Sequence, residues 1–382
     1  MQNYNIILNC ANELRIFLYF CNINFDKKDI VMINRVKRIL GVMMLSLLCV
    51  DIVLAIEPTW EVNMGSVFDN REGDTKMNNA KTFFFVTLAP EIGLKFSDKD
   101  RISGGAVWTQ PLENTVKNGK IIPLLYYRHE SDTWKFSMGM FPRTQLHQRL
   151  PGFLWNDSLE YFQKSIRGAL VQYNHDKGFF DAYIDWRGIQ SEITREAFNI
   201  VFHGECKPKG DVFIIGGHLM MNHLARRKNS PDDERVVDNF LVNTYLGMEL
   251  DKYVPLDKFN VKAGAVMTIE RNRADEIGWR TPGGFWMDLL AEWKFLGLRN
   301  SLYIGGKLFP EYGELGSVLY QGEPFYMSSF YNRTDIYAKI FSNKNLNLEA
   351  QLNFNFAKNN FIFYQRLILE VQVGNITSYS KR

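Results

Sequence analysis

Residues 345–356, NLNLEAQLNFNF, alternate apolar and polar side chains at every position. Successive side chains of a β-strand point to opposite faces, so one face of this segment is entirely apolar and the other entirely polar. Strands in globular proteins usually span about five or six residues. A strand that crosses a bilayer at a tilt needs about 9–11 residues. The length of the alternation therefore favours a membrane-spanning strand.

The same period of two recurs along the chain. The alternation is blurred in residues 166–173 and 212–221, because these segments carry few charges on either side. The links between these segments alternate between short turns, rich in Gly, Asn, Asp, Ser and Pro, and longer stretches. This order predicts about 16 antiparallel strands with both ends on the short-turn side, as in outer-membrane barrels. The predicted fold class is all-β, a transmembrane antiparallel up-and-down β-barrel over residues 56–374.

Only helices and closed barrels satisfy every backbone polar group in lipid. We therefore expect the apolar face to contact outer-membrane lipid and the polar face to line a water-filled lumen. A secreted β-sandwich or soluble barrel is the alternative, and it is disfavoured because its outer face would carry more charge. Candidates for the interfacial aromatic girdles lie near strand ends: Trp60, Phe83, Phe84, Phe85, Trp108, Tyr126, Tyr127 and Phe141.

Residues 32–55 have the three parts of a secretory signal peptide, with a basic start, an apolar core and a cleavage site ending at Ala55. A single anchor helix over 39–55 is the alternative reading, disfavoured by the short apolar core. Lipid attachment at Cys49 is disfavoured because Leu48 stands where a small residue is expected.

The two ends of the chain lie outside the predicted barrel. Residues 1–31 match no part of a signal peptide, and we interpret them as an over-extended, unstructured start. Residues 375–382 are predicted to form a C-terminal tail.

Charge and cysteine content exclude several classes of function. Without residues 1–55, which carry six Lys/Arg and four Asp/Glu, the net charge falls from +3 to about +1, which gives no support for a nucleic-acid partner. Cys206 is then the remaining cysteine, so neither an internal disulfide nor a cysteine metal cluster is expected. The six histidines show no spacing typical of a catalytic pair or a metal site. We expect no enzyme activity, no cofactor and no metal.

The pentapeptide GMFPR, residues 139–143, together with the loop that follows it, resembles outer-membrane porins of the Bacteroidota type and, distantly, phosphate-selective porins. The chain departs from such barrels at its end, where the strand fades at Val373 and Gly374 and a tail follows instead of a terminal aromatic residue. The resemblance implies an outer-membrane protein of a Gram-negative bacterium. It also suggests a homotrimer, which no sequence feature indicates.

The longest link, residues 142–164, follows the fifth predicted strand. In porins of about 16 strands the third outer loop folds into the lumen, so the resemblance implies the same for this loop, with its aromatic residues against the wall. A loop lying over the mouth of the barrel is the alternative. The candidate constriction residues are Arg143, His147, Arg149, Trp155, Asp157, Glu160 and Lys164.

Charged residues on the polar faces of the strands are candidates for the lumen wall: Lys135, Arg167, Asp181, Asp185, Arg187, Glu292, Lys307, Glu349, Arg366 and Glu370. Their signs nearly balance, which argues against a strongly anion-selective pore. For each of them the alternative is an ion pair that only bridges neighbouring strands.

The sequence thus predicts a porin through which small hydrophilic solutes diffuse. A surface enzyme of the lipase or protease type and a closed binding scaffold remain the alternatives. A gated transporter with about 22 strands and a plug domain would need a longer chain.

Overall fold

The computed structural model describes residues 56–376, apart from 74–76, 78–79, 113–117, 209–211, 231–233, 235 and 274–277. The predicted start, signal peptide and most of the predicted tail lie outside the described residues. In the described part of the chain, no helix combines the length and the apolar character needed to cross a membrane.

Long β-strands account for most of the described residues. They are β1 Glu57–Glu72, β2 Lys81–Lys95, β3 Asp100–Pro111, β4 Lys120–Glu130, β5 Trp134–Pro142, β6 Ser165–His175, β7 Gly178–Gly188, β8 Ala197–Cys206, β9 Phe213–Leu224, β10 Val237–Glu249, β11 Lys258–Asn272, β12 Gly283–Trp293, β13 Leu296–Gly305, β14 Phe330–Ser342, β15 Leu346–Ala357 and β16 Asn360–Gly374. Two short helices interrupt them, α1 Asp157–Phe162 and α2 Tyr312–Leu319, together with 3₁₀ turns at Arg143–Gln145 and Pro324–Met327.

The strands form one closed barrel in which each strand pairs with its sequence neighbours. β1 closes the ring because it pairs antiparallel with both β2 and β16. The prediction of a 16-stranded antiparallel up-and-down barrel is confirmed. Closure leaves no sheet edge with unpaired backbone groups.

The apolar and polar faces of residues 345–356 point to opposite sides of the barrel wall, as the alternation predicts. In β15, Leu352 and Phe356 are exposed on the outside of the barrel, whereas Asn353 and Asn355 point inward and are buried. The aromatic girdle was only partly predicted, because Phe85, Tyr126 and Phe141 face inward and are buried. An aromatic side chain has a high strand propensity on either face, so residue type alone did not reveal the direction.

The inner wall is apolar over part of its area. Ile166 and Leu170 on β6, and Ile214 and Met220 on β9, point inward and are buried in one apolar cluster with residues of two long loops. These strands contain the two segments with blurred alternation, and the blur arises because both of their faces are apolar. Side chains of the two loops therefore fill part of the lumen.

Candidate functional site: the filled lumen

Two long loops on the same side of the barrel fold into the lumen. Loop L3 comprises residues 143–164, between β5 and β6, and loop L7 comprises residues 306–329, between β13 and β14. Most of their buried apolar side chains belong to one cluster with inward wall residues of β4 to β16, while Tyr161 of L3 packs with Val67 and Phe85. We call the two loops together the lumen plug.

Backbone hydrogen bonds join the two loops. The Asn156 N–H donates to the Gln321 carbonyl oxygen over 2.8 Å, and the Glu323 N–H donates to the Gly152 carbonyl oxygen over 2.7 Å. Between these bonds the backbones approach so closely that a Cβ on Gly322 would lie 2.4 Å from the Phe153 carbonyl oxygen. The two loops are therefore packed directly against each other.

Phe153 of L3 is the apolar centre of the plug. Its fully buried ring makes edge contacts with Trp286 of the wall, at 5.6 Å between centroids, and with Tyr326 of L7, at 6.0 Å. Phe309 and Tyr320 of L7 stack on each other at 4.8 Å. Burying a large aromatic side chain typically stabilises a fold by about 1.5–3 kcal/mol, so these contacts favour a docked plug.

Asp157, at the start of α1, is the ionic centre of the plug. Its Oδ2 accepts hydrogen bonds from Arg333 Nη1 of β14 at 2.8 Å and from Arg366 Nη2 of β16 at 2.6 Å. Its Oδ1 accepts from Arg149 Nη2 of L3 at 2.9 Å. The carboxylate is 2% exposed, so water screens these interactions little.

The wall continues this charged network through β1. Arg71 Nη2 lies 2.9 Å from Asp69 Oδ2, and the Tyr161 hydroxyl of L3 donates to the same oxygen over 3.0 Å. On β14, Arg333 Nε lies 2.8 Å from Asp335 Oδ1. Each wall aspartate thus neutralises an arginine two residues away on the same strand face.

Arg143, the last residue of GMFPR, fixes the point where L3 enters the lumen. Its Nη2 donates to Asp185 Oδ2 of β7 over 2.5 Å, and its guanidinium lies 3.8 Å from the centre of the Trp155 ring. Gly139 of the same motif has a φ of 125°, which a residue with a Cβ rarely adopts. The motif thus has a local structural role in directing the chain inward.

A polar cavity of about 600 Å³ lies on the short-turn side of the barrel, and residues of L3 border it. Gln145 and His147 of L3 line it together with wall residues such as Lys135 and Arg128. His147 Nδ1 lies 2.5 Å from Asp181 Oδ1 of β7. Water-accessible space from this end of the barrel therefore leads up to L3.

Eight of the ten predicted wall residues lie on the inward face of their strands, namely Lys135, Asp181, Asp185, Arg187, Glu292, Glu349, Arg366 and Glu370. Three of them contact the loop residues predicted with them, in the pairs Asp181–His147, Asp185–Arg143 and Arg366–Asp157. Arg187 reaches L7, where its Nη1 donates to the Val318 carbonyl oxygen over 2.8 Å.

Three predicted wall residues instead pair with other wall residues. Lys135 pairs with Glu130 at 2.8 Å. Glu292 pairs with Lys339 at 2.8 Å, and Arg299 lies 3.6 Å from Glu349.

The two other predicted wall residues are placed elsewhere. Arg167 is exposed on the outward face of β6, opposite Met140 in the register with β5. It lies near the outer end of its strand, where a long side chain can extend its charge to the membrane surface. Lys307 lies beyond the end of β13, in L7, and is exposed. The blurred alternation of β6 and an overextended β13 explain the two errors.

The remaining predicted loop residues, Glu160 and Lys164, form backbone hydrogen bonds within L3. Glu160 lies half-buried in α1, and its N–H donates to the Asn156 carbonyl oxygen over 3.0 Å. The Lys164 carbonyl oxygen accepts from the Arg143 N–H over 2.8 Å, which closes the base of L3.

Sequence reasoning missed the wall residues Asp69, Arg71 and Arg333 and the L7 residue Glu323. The period of two continues through the three wall residues, so that signal was available for them. Glu323 lies in a loop without a period, and no sequence feature pointed to it.

Two carboxyl groups in the plug titrate away from their ordinary range. Burial raises the pKa of Glu323 to about 7, and the nearby Asp157 carboxylate adds to the effect. Burial also opposes ionisation of Asp157, but the guanidinium groups of Arg333, Arg366 and Arg149 outweigh it and hold the pKa of Asp157 well below its usual range. Asp157 is therefore charged at neutral pH, whereas Glu323 is near its midpoint.

Within the described ranges, no group of three or more His, Cys, Asp or Glu side chains is arranged to hold a metal ion. The described hydrogen bonds of the histidine rings run to carboxylates and amides, as for His129 with Asp100 and His218 with Asn243.

A family model described as Lipid A 3'-O-deacylase-type matches residues 59–374, nearly the whole barrel. The chain belongs to this family. The deacylase-type assignment differs from the phosphate-selective porins suggested by GMFPR, whose residues have the local role described above. No curated protein matches the chain.

Solved structures resemble this deacylase-type barrel in fold. OccK5 (OpdH) of Pseudomonas aeruginosa matches with a TM-score of 0.50 and 8% identity, over 84% of this chain and 98% of that chain. The high-pH structure of Pseudomonas putida OprB matches with a TM-score of 0.50 and 8% identity, over 84% and 94%. At this identity the likeness shows the fold alone, a closed barrel of the outer-membrane porin type.

Proposed function

We propose that this protein lies in the outer membrane of a Gram-negative bacterium and passes small hydrophilic solutes through a lumen that the plug narrows. The observation that supports this most is the polar cavity of about 600 Å³ that extends to Gln145 and His147 of L3. A closed scaffold would have no need of a polar space leading to its plug. The apolar outer face, with residues such as Leu352 and Phe356, supports a lipid environment.

In this proposal the charged loop residues set the size limit of the passage. The predicted constriction residues Arg143, His147 and Asp157 each pair with a wall residue of opposite charge or a hydrogen-bonding carboxylate. Paired charges leave little net field, so solutes are selected chiefly by size and polarity. Passage past the apolar contacts of Phe153 requires part of the plug to shift.

The proposal includes the processing of the chain. Residues 32–55 serve as the signal peptide, and the mature protein begins at residue 56. The Bacteroidota origin and the homotrimer stay predictions.

Solute uptake into proteoliposomes tests the proposed channel. We expect refolded residues 56–382 to admit a monosaccharide faster than a disaccharide and a disaccharide faster than a trisaccharide. A variant with residues 144–163 replaced by a short Gly/Ser linker is expected to lose this size order. Uptake no faster than in protein-free vesicles, from both proteins shown to be folded, would contradict the proposal.

A second candidate function is hydrolysis of an acyl ester on a lipid A-type glycolipid, supported by the family to which the chain belongs. His223 is the histidine placed for it, since it lies on the outward face at the outer end of β9, across from Asp238 of β10. Its ring stacks on Phe198 at 4.6 Å. The other five histidines point into the lumen, lie in L3 or lie near the short turns.

Mass spectrometry of lipid A vesicles incubated with the refolded protein tests this second function. Hydrolysis would add water across one ester, releasing a fatty acid and leaving a hydroxyl on the sugar. Loss of one acyl chain with the native protein but not with His223→Ala would establish the enzyme. Intact lipid in both samples would remove this candidate.

A further inference from the structure

Asp157 contacts the wall of the lumen in the way that a bound anion would. It belongs to the plug, but its Oδ2 is held by two arginines of the barrel, Arg333 at 2.8 Å and Arg366 at 2.6 Å. Two guanidinium groups converging on one carboxylate oxygen are a strong, charge-assisted arrangement. Arginine is the residue best suited to bind carboxylates in partly buried sites.

Three arginines and two aspartates of the wall form the ion-pair network around Asp157. Its inward charged groups at this site are Arg71, Arg333 and Arg366 against Asp69 and Asp335. Asp69 pairs with Arg71 and also with Arg366, whose Nε lies 3.2 Å from Asp69 Oδ1, and Asp335 pairs with Arg333. Nη2 of Arg366 is directed at Asp157. L3 brings Asp157 and Arg149 together, and L7 adds Glu323, 3.7 Å from Arg333.

A neutral donor lies on the strand next to Arg333. Asn355 of β15 is directly opposite Arg333 in the register with β14, and it is 1% exposed. Its Oδ1 accepts from the Tyr331 hydroxyl at 2.8 Å, whereas its Nδ2 is buried without a hydrogen-bond partner. A buried donor without a partner is costly, and a ligand oxygen would satisfy it.

We propose that Arg333 and Arg366 form a binding site for the carboxylate of a small organic acid, which Asp157 occupies as a tethered stand-in. The inference rests on the proposed channel, because a solute must reach the lumen to compete with Asp157. The solutes that this site would bind are small monocarboxylates. Displacement of Asp157 by the solute releases L3 from the wall and widens the passage.

The tether sets the strength of the competition. Asp157 is held in place by L3, so it competes with a free carboxylate as an intramolecular ligand. The native protein therefore binds a free carboxylate weakly, and removing the internal carboxylate should reveal the full affinity of the two arginines.

Calorimetry on the refolded protein in detergent tests the site with benzoate and its neutral isostere benzamide. Asp157→Asn is expected to bind benzoate at least about ten-fold more tightly than the native protein, since the tethered competitor is gone. Asp157→Asn with Arg366→Gln should lose that gain, and benzamide should bind none of the three proteins measurably. Equal benzoate affinity in the native and Asp157→Asn proteins would overturn the proposal.

A second measurement does not depend on the folding of Asp157→Asn. Ser158 lies next to Asp157 and within 3.4 Å of Arg71 Nη1, so a cysteine there reports release of L3. In a Cys206→Ser background, benzoate should accelerate maleimide labelling of Ser158→Cys several-fold, and benzamide should not. Equal rates with the two compounds would overturn the proposal.

The outcomes also separate this site from the channel. Benzoate binding without solute uptake would support the site and contradict the channel. Uptake without benzoate binding would support the channel and overturn the site.

Discussion

The two loops of the plug are held in the lumen by different interactions. L3 is fixed to the wall by ion pairs, Arg143 with Asp185 and Asp157 with Arg333 and Arg366, in addition to its buried apolar side chains. L7 is held mainly by apolar and aromatic packing, as Phe309 and Tyr320 show. Buried ion pairs are costly to break at one partner, whereas apolar contacts are lost gradually with area. The difference suggests that L3 is the loop that ligands and pH can release, while L7 remains a fixed support.

Among the substitutions that test this comparison, Asp157→Asn should lower the stability of the protein most. The change leaves two buried guanidinium groups without their carboxylate, and removing one partner of a buried ion pair costs about 3–5 kcal/mol. We expect the urea midpoint, followed by tryptophan fluorescence, to fall clearly. The control is Asp98→Asn, in an exposed short turn, which should not change the midpoint. An unchanged midpoint in Asp157→Asn would mean that charge does not hold L3.

Phe153→Ala probes the apolar contact that the two loops share. Its ring fills the space between Trp286 and Tyr326, so truncation leaves a cavity that costs about 3 kcal/mol. The urea midpoint should fall less than in Asp157→Asn. Exposed Phe341→Ala, on the lipid side of β14, is the matched control and should leave the plug unaffected. A larger effect of Phe153→Ala than of Asp157→Asn would reverse the ranking of charge and packing in L3.

A rise in pH should loosen the plug because it ionises Glu323. Because burial raises its pKa from 4.5 to about 7, Glu323 favours the docked plug below about pH 4.5 and loses that contribution as the pH rises through 7. The free energy involved is at most on the order of 3 kcal/mol. Labelling of Ser158→Cys in the Cys206→Ser background, corrected for thiol ionisation with an exposed cysteine, should accelerate between pH 5 and 8. Glu323→Gln should remove that dependence, and a dependence that persists would assign it to another group.

The sequence predicted the wall better than the plug, for a physical reason. A strand places every second residue on one face, so alternation in segments such as residues 345–356 identified strand number, direction and faces. L3 and L7 have no such period, and the burial of Phe153 and Phe309 depends on contacts between loops distant in sequence. The position of L3 was predictable from its length and place, but its partner L7 was not.

Errors in the wall follow the same rule. Arg167 was misplaced because β6 has apolar residues on both faces, which hides the period. Lys307 was misplaced because no charge pattern marks the end of β13 at Gly305. Arg333 and Arg71 were overlooked although their strands alternate clearly, so a stricter reading of the period would have found them.

Single-channel conductance in a planar bilayer tests the central claim, that the plug narrows a passage through the barrel. Residues 56–382 should be recorded beside the variant in which a short linker replaces residues 144–163. We predict a small conductance in the native protein, because passage requires part of the plug to shift. The conductance of the variant should be several-fold larger, because the loop that carries Phe153 and Asp157 is gone. Silence in both proteins, each shown by circular dichroism to be folded, would contradict the channel.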